Sequence, residues 1–99
     1  MGLKITTNAI KGLRAMKNPS FVIIELMNNH VVDFAESQEE AHSKCITADS
    51  HGSKCKFYET SMRTIDLIRK HTKNVDVEHD KKGVLIEGLD TRLFQEEMD

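Results

Sequence analysis

The sequence predicts an α+β domain made of two β-α-β-β-β units, with one helix from each unit lying on the same side of antiparallel sheets. Three observations predict it. Residues 8–18 and 61–73 carry apolar side chains at helical spacing, each behind a Ser, Thr or Asn able to accept from the free N–H groups of a first turn. Short runs rich in β-branched residues, or alternating apolar with polar, lie around them as strands should. The order strand, helix, strand, strand, strand is then met twice within 99 residues, a length that supports one core and not two.

Residues 3–7 alternate as a short half-buried strand, and Thr7 or Asn8 caps a helix whose apolar positions are Ala9, Ile10, Leu13 and Met16. Lys11, Arg14 and Lys17 fall on its other side. Gly12 is costly inside a helix, which implies a close approach to the sheet or to a second helix. Pro19 marks the end of that helix, since the residue before a proline avoids the α region. FVIIELM, residues 21–27, reads as a buried strand, Asn28 and Asn29 as a hairpin turn, and residues 30–34 as the returning strand. SQEEA, residues 37–41, is a polar loop or helical turn. SKCITA, residues 43–48, is expected to be a strand with Cys45 on one face, followed by a turn at 49–53.

Residues 55–88 hold the second unit: a strand, a helix capped by Thr60 or Ser61 and running to about Lys73, and a hairpin. Lys81, Lys82 and Gly83 close that hairpin between strands at 75–79 and 84–89. The helix points Met62, Ile65 and Ile68 inward, with Thr72 at the edge of the stripe. Residues 90–96 add a last strand around Leu93 and Phe94, ahead of an acidic tail. Ile10, Leu13 and Met16 correspond to Met62, Ile65 and Ile68 at a constant offset of 52. Half-repeats of about 1–50 and 51–99 would share a core across a pseudo-two-fold axis.

Composition narrows the function classes. With 38% hydrophobic and 30% charged residues this is an ordinary globular composition, and no apolar run approaches the roughly 20 residues of a membrane span. Residues 1–13 lack an apolar signal-peptide centre. Met1, Gly2 and Thr6 match the bare myristoylation pattern, but Leu3 and Ile5 have a sufficient use in a strand. Two cysteines make no disulfide framework, so a reducing setting, cytoplasmic or nuclear, is expected.

Charge is sorted along the chain. Residues 8–18 and 61–73, 24 positions in all, hold seven basic residues against one acid, Asp66, a net of +6. The other 75 positions hold seven basic and fifteen acidic residues, a net of −8, which returns the overall −2. Helices tolerate Lys and Arg well, and a solvated helix face is usually charged, but such a face usually mixes signs.

Other constellations are weaker. His42, Cys45, His51 and Cys55 are ligand types for zinc, yet their order and gaps fit no standard zinc pattern, and Cys55 suits a strand position beside Phe57. Asp76, Glu78 and Asp80 share one face of an expected strand, where three carboxylates are a cation site or, with no further clustered ligand, a solvated outer face. His30, His71 and His79 have no visible nucleophile or orienting partner. No phosphate loop, nucleophile elbow or catalytic dyad is present in the sequence, so a non-enzymatic protein without a cofactor is expected.

The duplicated unit, with LKITTNAIKGLRAMKN set against CKFYETSMRTIDLIRKHTK and a basic face on each helix, resembles one domain of the DNA sliding clamps, the processivity factors of DNA replication. The resemblance is one of pattern and spans nearly the whole chain. It implies helices lining a ring around duplex DNA, with Lys11, Arg14, Lys17, Arg63, Arg69, Lys70 and Lys73 touching phosphates without reading bases. Asp66 departs from that pattern. Family rings contain six such domains and this chain supplies one, so the resemblance implies a homo-oligomer, most simply a hexamer, that tethers a polymerase or other DNA-processing protein. The edge carrying Lys44, Cys45, Ile46 and Thr47 would pair with Arg92, Leu93 and Phe94 of the next subunit. A different class of reading is a small viral or bacterial interaction module, an inhibitor or adaptor acting through exposed sheet edges.

Overall fold

In a computed structural model the described residues are 2–89 and 94. They form β1 (Gly2–Ile5), α1 (Thr7–Ala15), β2 (Phe21–Glu25), β3 (His30–Ala35), α2 (Gln38–Ser50), β4 (Cys55–Glu59), α3 (Met62–Thr72) and β5 (Val84–Glu87). The strands make one sheet in the order β4-β2-β3-β1-β5. The fold is α+β as expected, but the sheet is mixed: β1 runs parallel to β3, and the other pairs are antiparallel.

Alternation along the strands feeds two cores. Leu3, Ile5, Val22, Ile24, Val31, Tyr58 and Ile86 face one way, against Ile10 and Leu13 of α1 and Ile65 and Ile68 of α3. Ile23 and Ala35 face the other way, against Ala41 and Cys45 of α2. The molecule therefore has three layers, with α1 and α3 together on one face and α2 alone on the other. Val31 and Phe34 are three apart yet reach the same core, which strict alternation forbids. A register shift between Ile23 and Ile24, whose partners are Asp33 and Val31, supplies the extra residue as a bulge.

The helices start where side-chain oxygens meet free N–H groups. The Thr6 hydroxyl accepts from Ala9 N–H at 3.2 Å, one residue before the expected cap, and the Ser61 hydroxyl accepts from Thr64 N–H at 3.3 Å. Gly12 packs against β3: a Cβ there would stand 3.1 Å from Asp33 Oδ1, the close approach its place in a helix implied. Asn29, at φ 56, turns the β2–β3 hairpin.

Three expectations are corrected. Residues 43–48 lie inside α2, so Lys44, Cys45, Ile46 and Thr47 form no sheet edge. The Ser37 hydroxyl accepts from Glu40 N–H at 3.1 Å and the Glu40 carboxylate accepts from Glu36 N–H, just before the cap, at 3.3 Å, so side chains hold the turn that starts a helix. Ala41 and Cys45, four apart, then reach the sheet on one helical stripe. Residues 75–79 form no strand either. The Asp76 carboxylate accepts from Glu78 and His79 N–H, winding that stretch into a turn whose Val75 and Val77 still pack on the core.

β5 accordingly pairs with β1 instead of closing a hairpin with residues 75–79. Gly83, at φ 77 and against the Ile5 carbonyl, is the entry that only glycine fits. Finally, the expected strand at 90–96 falls outside the described residues except for Phe94, which is helical, fully buried and 6.3 Å from the Tyr58 ring.

Candidate nucleic-acid interface

The helices that carry the positive charge share one layer, and two arginines join them. The Arg14 guanidinium, in the last turn of α1, donates to the carbonyls of Thr72 at 3.0 Å and Val75 at 2.7 Å, where α3 ends. The Arg69 guanidinium, in the last turn of α3, donates to the carbonyl of Met16 at 3.0 Å, where α1 ends. Both helix C-termini therefore meet, each with its end carbonyls and negative dipole end answered by a cation from the other.

This exchange revises how the two helices correspond. Thr6 and Ser61 both cap, Ile10 and Ile65 are both fully buried, as are Leu13 and Ile68 to within 1%, and Arg14 and Arg69 both cross over. Each pair is 55 residues apart. The offset of 52 read from the apolar pattern set Ile10 beside Met62, but Met62 is 47% exposed. Apolar spacing alone fits either offset, because a slip of three residues keeps a side chain on nearly the same helix face.

Of the seven basic residues named from the sequence, Arg14 and Arg69 thus serve the helix ends. Lys11, Lys17, Arg63, Lys70 and Lys73 are exposed, and among the described residues none is in an ion pair. Acids bound the surface. Asp66 is exposed on α3, and Glu36 accepts from the N–H groups of Lys17 and Asn18 at 3.1 and 2.8 Å. Asp76 lies near Arg14, its carboxyl held below the ordinary range first by a hydrogen bond with His79. Leu67, 40% exposed, adds an apolar contact to the outer side of α3 that the sequence reading did not use.

The remaining constellations are dispersed. Lys44 is committed within α2 and β3, bonding the Phe34 carbonyl at 2.7 Å and pairing with Glu40 and Asp33. His51 Nδ1 contacts the Thr47 carbonyl at 2.9 Å, away from His42, Cys45 and Cys55, which line a cavity between α2 and β4. Burial is the first cause that pushes both thiols up. Among the described residues no group of three or more His, Cys, Asp or Glu is placed to hold a metal ion. The Asp76 and Asp80 carboxylates accept from neighbouring backbone N–H groups, so they shape the loop they sit in. No described helix is long and apolar enough to cross a membrane.

No protein-family model, curated protein or solved structure matches this chain.

Proposed function

We propose that the chain is a non-enzymatic domain that holds duplex DNA by its phosphates through the outer surface of α1 and α3, in the manner of a sliding-clamp domain. One observation carries the reading. The two arginines that join the helix ends fix both helices into a single surface and leave Lys11, Lys17, Arg63, Lys70 and Lys73 free on it. Exposed cations on two joined helices, with the single acid Asp66 on α3, suit sequence-independent phosphate contact.

Five phosphate contacts would give log K against log salt a slope of about −4.5, with dissociation constants on the order of 10⁻⁴ to 10⁻⁶ M near physiological salt. Fluorescence anisotropy on a short duplex tests this. Lys11→Glu combined with Lys70→Glu should flatten the slope and weaken binding at least tenfold, to roughly the level set by losing two contacts. Unchanged binding would remove the reading.

Self-assembly into a ring requires a new pair of edges, since residues 44–47 are helical. β4 and β5 end the sheet and run in opposite senses, so a second copy continuing the sheet in the same orientation would set β5 antiparallel to β4. Light scattering separates a ring from a monomer. Retention on closed-circular DNA that is lost on linearisation would mark encirclement, and equal binding to both forms would mark simple attachment.

A further inference from the structure

The edge strand β4 borders a cavity of about 370 Å³ that lies between it and α2. Phe57 and Cys55 line it from the strand, and His42, Cys45, Ile46 and Asp49 from the helix. Ile46 is 56% exposed, an apolar side chain left to water beside this cavity.

Hydrogen-bond phase determines what the edge offers. Leu26 N–H donates to the Lys54 carbonyl and Thr60 N–H to the Ser20 carbonyl. Lys54, Lys56, Tyr58 and Thr60 therefore turn their main-chain groups toward β2. By antiparallel alternation Cys55, Phe57 and Glu59 turn theirs outward, where no described strand meets them. Phe57 thus presents an open N–H and C=O along the edge and an aromatic wall to the cavity.

The charge beside Cys55 is negative. Asp49 and Glu25 both act on the Cys55 thiol, adding to the effect of burial. Asp49 belongs to the last turn of α2, the negative end of the helix dipole, and that turn contains no basic residue. Lys56 also touches the cavity, but strand alternation assigns its side chain to the opposite face of the sheet.

We propose that this edge docks an extended segment of a partner protein, added antiparallel to β4. An apolar side chain of the segment stands opposite Phe57 and against Ile46, and a basic side chain two residues further on stands opposite Cys55, beside Asp49. Main-chain bonds give affinity, and the two side chains give selectivity. This docking does not depend on phosphate contact by α1 and α3, which lie on the opposite layer, but it takes the β4 edge that a ring would pair with β5, so edge docking and ring closure exclude one another.

The probe is a blocked pentapeptide, Thr-Leu-Thr-Lys-Thr, added to the full chain. Binding is followed by NMR shifts of the Cys55 and Phe57 amides and by protection of Cys55 from alkylation. Both signals are expected. Methylating the leucine nitrogen, which would donate to Phe57, should abolish them, whereas methylating the nitrogen of the central threonine, which points away, should not. Leu→Asn or Lys→Glu in the peptide should each weaken binding about tenfold, as should Ile46→Asp in the protein. Ile46 is exposed, so an unchanged unfolding transition would show that this variant still folds.

Absence of both signals up to the solubility of the peptide would overturn the proposal, as would equal binding of the leucine-methylated peptide. A concentration-dependent mass of the protein alone, abolished by Ile46→Asp, would assign the edge to a second copy and overturn a partner segment.

Discussion

The two faces of the sheet are built to different depths. On one face, α1 and α3 close over a continuous core in which Leu3, Ile10, Leu13, Phe34, Ile65 and Ile68 are sealed from water. On the other, α2 meets the sheet through Ala41 and Cys45, burying Ile23 and Ala35 fully and Phe21, Val32, Cys55 and Phe57 only in part. A helix seated on large side chains is fixed in position by packing. One seated on alanine and cysteine gains less from burial and depends more on its cap and on Lys44. Thus the deep face presents a fixed charged surface, and the shallow face leaves a cavity at its margin.

That comparison is open to direct tests. Leu13→Ala or Ile68→Ala should cost about 2–5 kcal/mol in urea unfolding, whereas Cys45→Ala should cost about 1 kcal/mol, because much less apolar surface leaves the smaller core. Equal losses on the two faces would break the distinction.

Arg14→Ala and Arg69→Ala should each cost about 1 kcal/mol, and the double variant should depart from additivity because both act at the same meeting of helix ends. Arg→Lys at either position should restore part of the loss, since each guanidinium bonds through one terminal nitrogen, Nη2, a role that an ammonium on a shorter stem fills less well. On the shallow face Ser37→Ala should cost about 1 kcal/mol and show first as faster amide exchange in the opening turn of α2.

The smallest effect is pH-dependent. Hydrogen bonding to His79 and to backbone N–H groups lowers the Asp76 carboxyl from its ordinary 3.8, so the contribution of this group to the turn is complete above that value. It is lost as pH falls through the depressed folded value, and Asp76→Asn should remove that acid dependence. NMR titration of the Glu78 and His79 amides reads it, and a titration identical to that of Asp76→Asn would show that the turn does not need the carboxylate.

The deep face was readable because its signals are local. Ile10 and Leu13, like Ile65 and Ile68, recur at helical spacing behind hydroxyl caps, and Phe21–Glu25 is apolar and β-branched enough to be a buried strand. The shallow face is ambiguous in sequence for the same reason. Residues 43–48 are short, mixed and centred on Cys45 and Ile46, so strand and helix patterns fit them about equally until Ser37 and Glu40 are recognised as holding a first helical turn. Residues 75–79 alternate like a strand, but alternation carries no information about the Asp76 carboxylate bonding its own backbone.

By itself, then, the sequence determined the α+β class, the two basic amphipathic helices, the β2–β3 hairpin and the need for a glycine in α1, because each follows from propensity, capping or side-chain period within about a dozen residues. Only the tertiary structure decided that β1 lies between β3 and β5, that α2 covers the opposite face, that α1 ends before Lys17, and that two of the seven named cations are committed to helix ends. Those outcomes depend on which distant groups meet. The Arg14 guanidinium and the Thr72 carbonyl are 58 positions apart, and nothing in the spacing of either residue foretells that the two helices finish side by side.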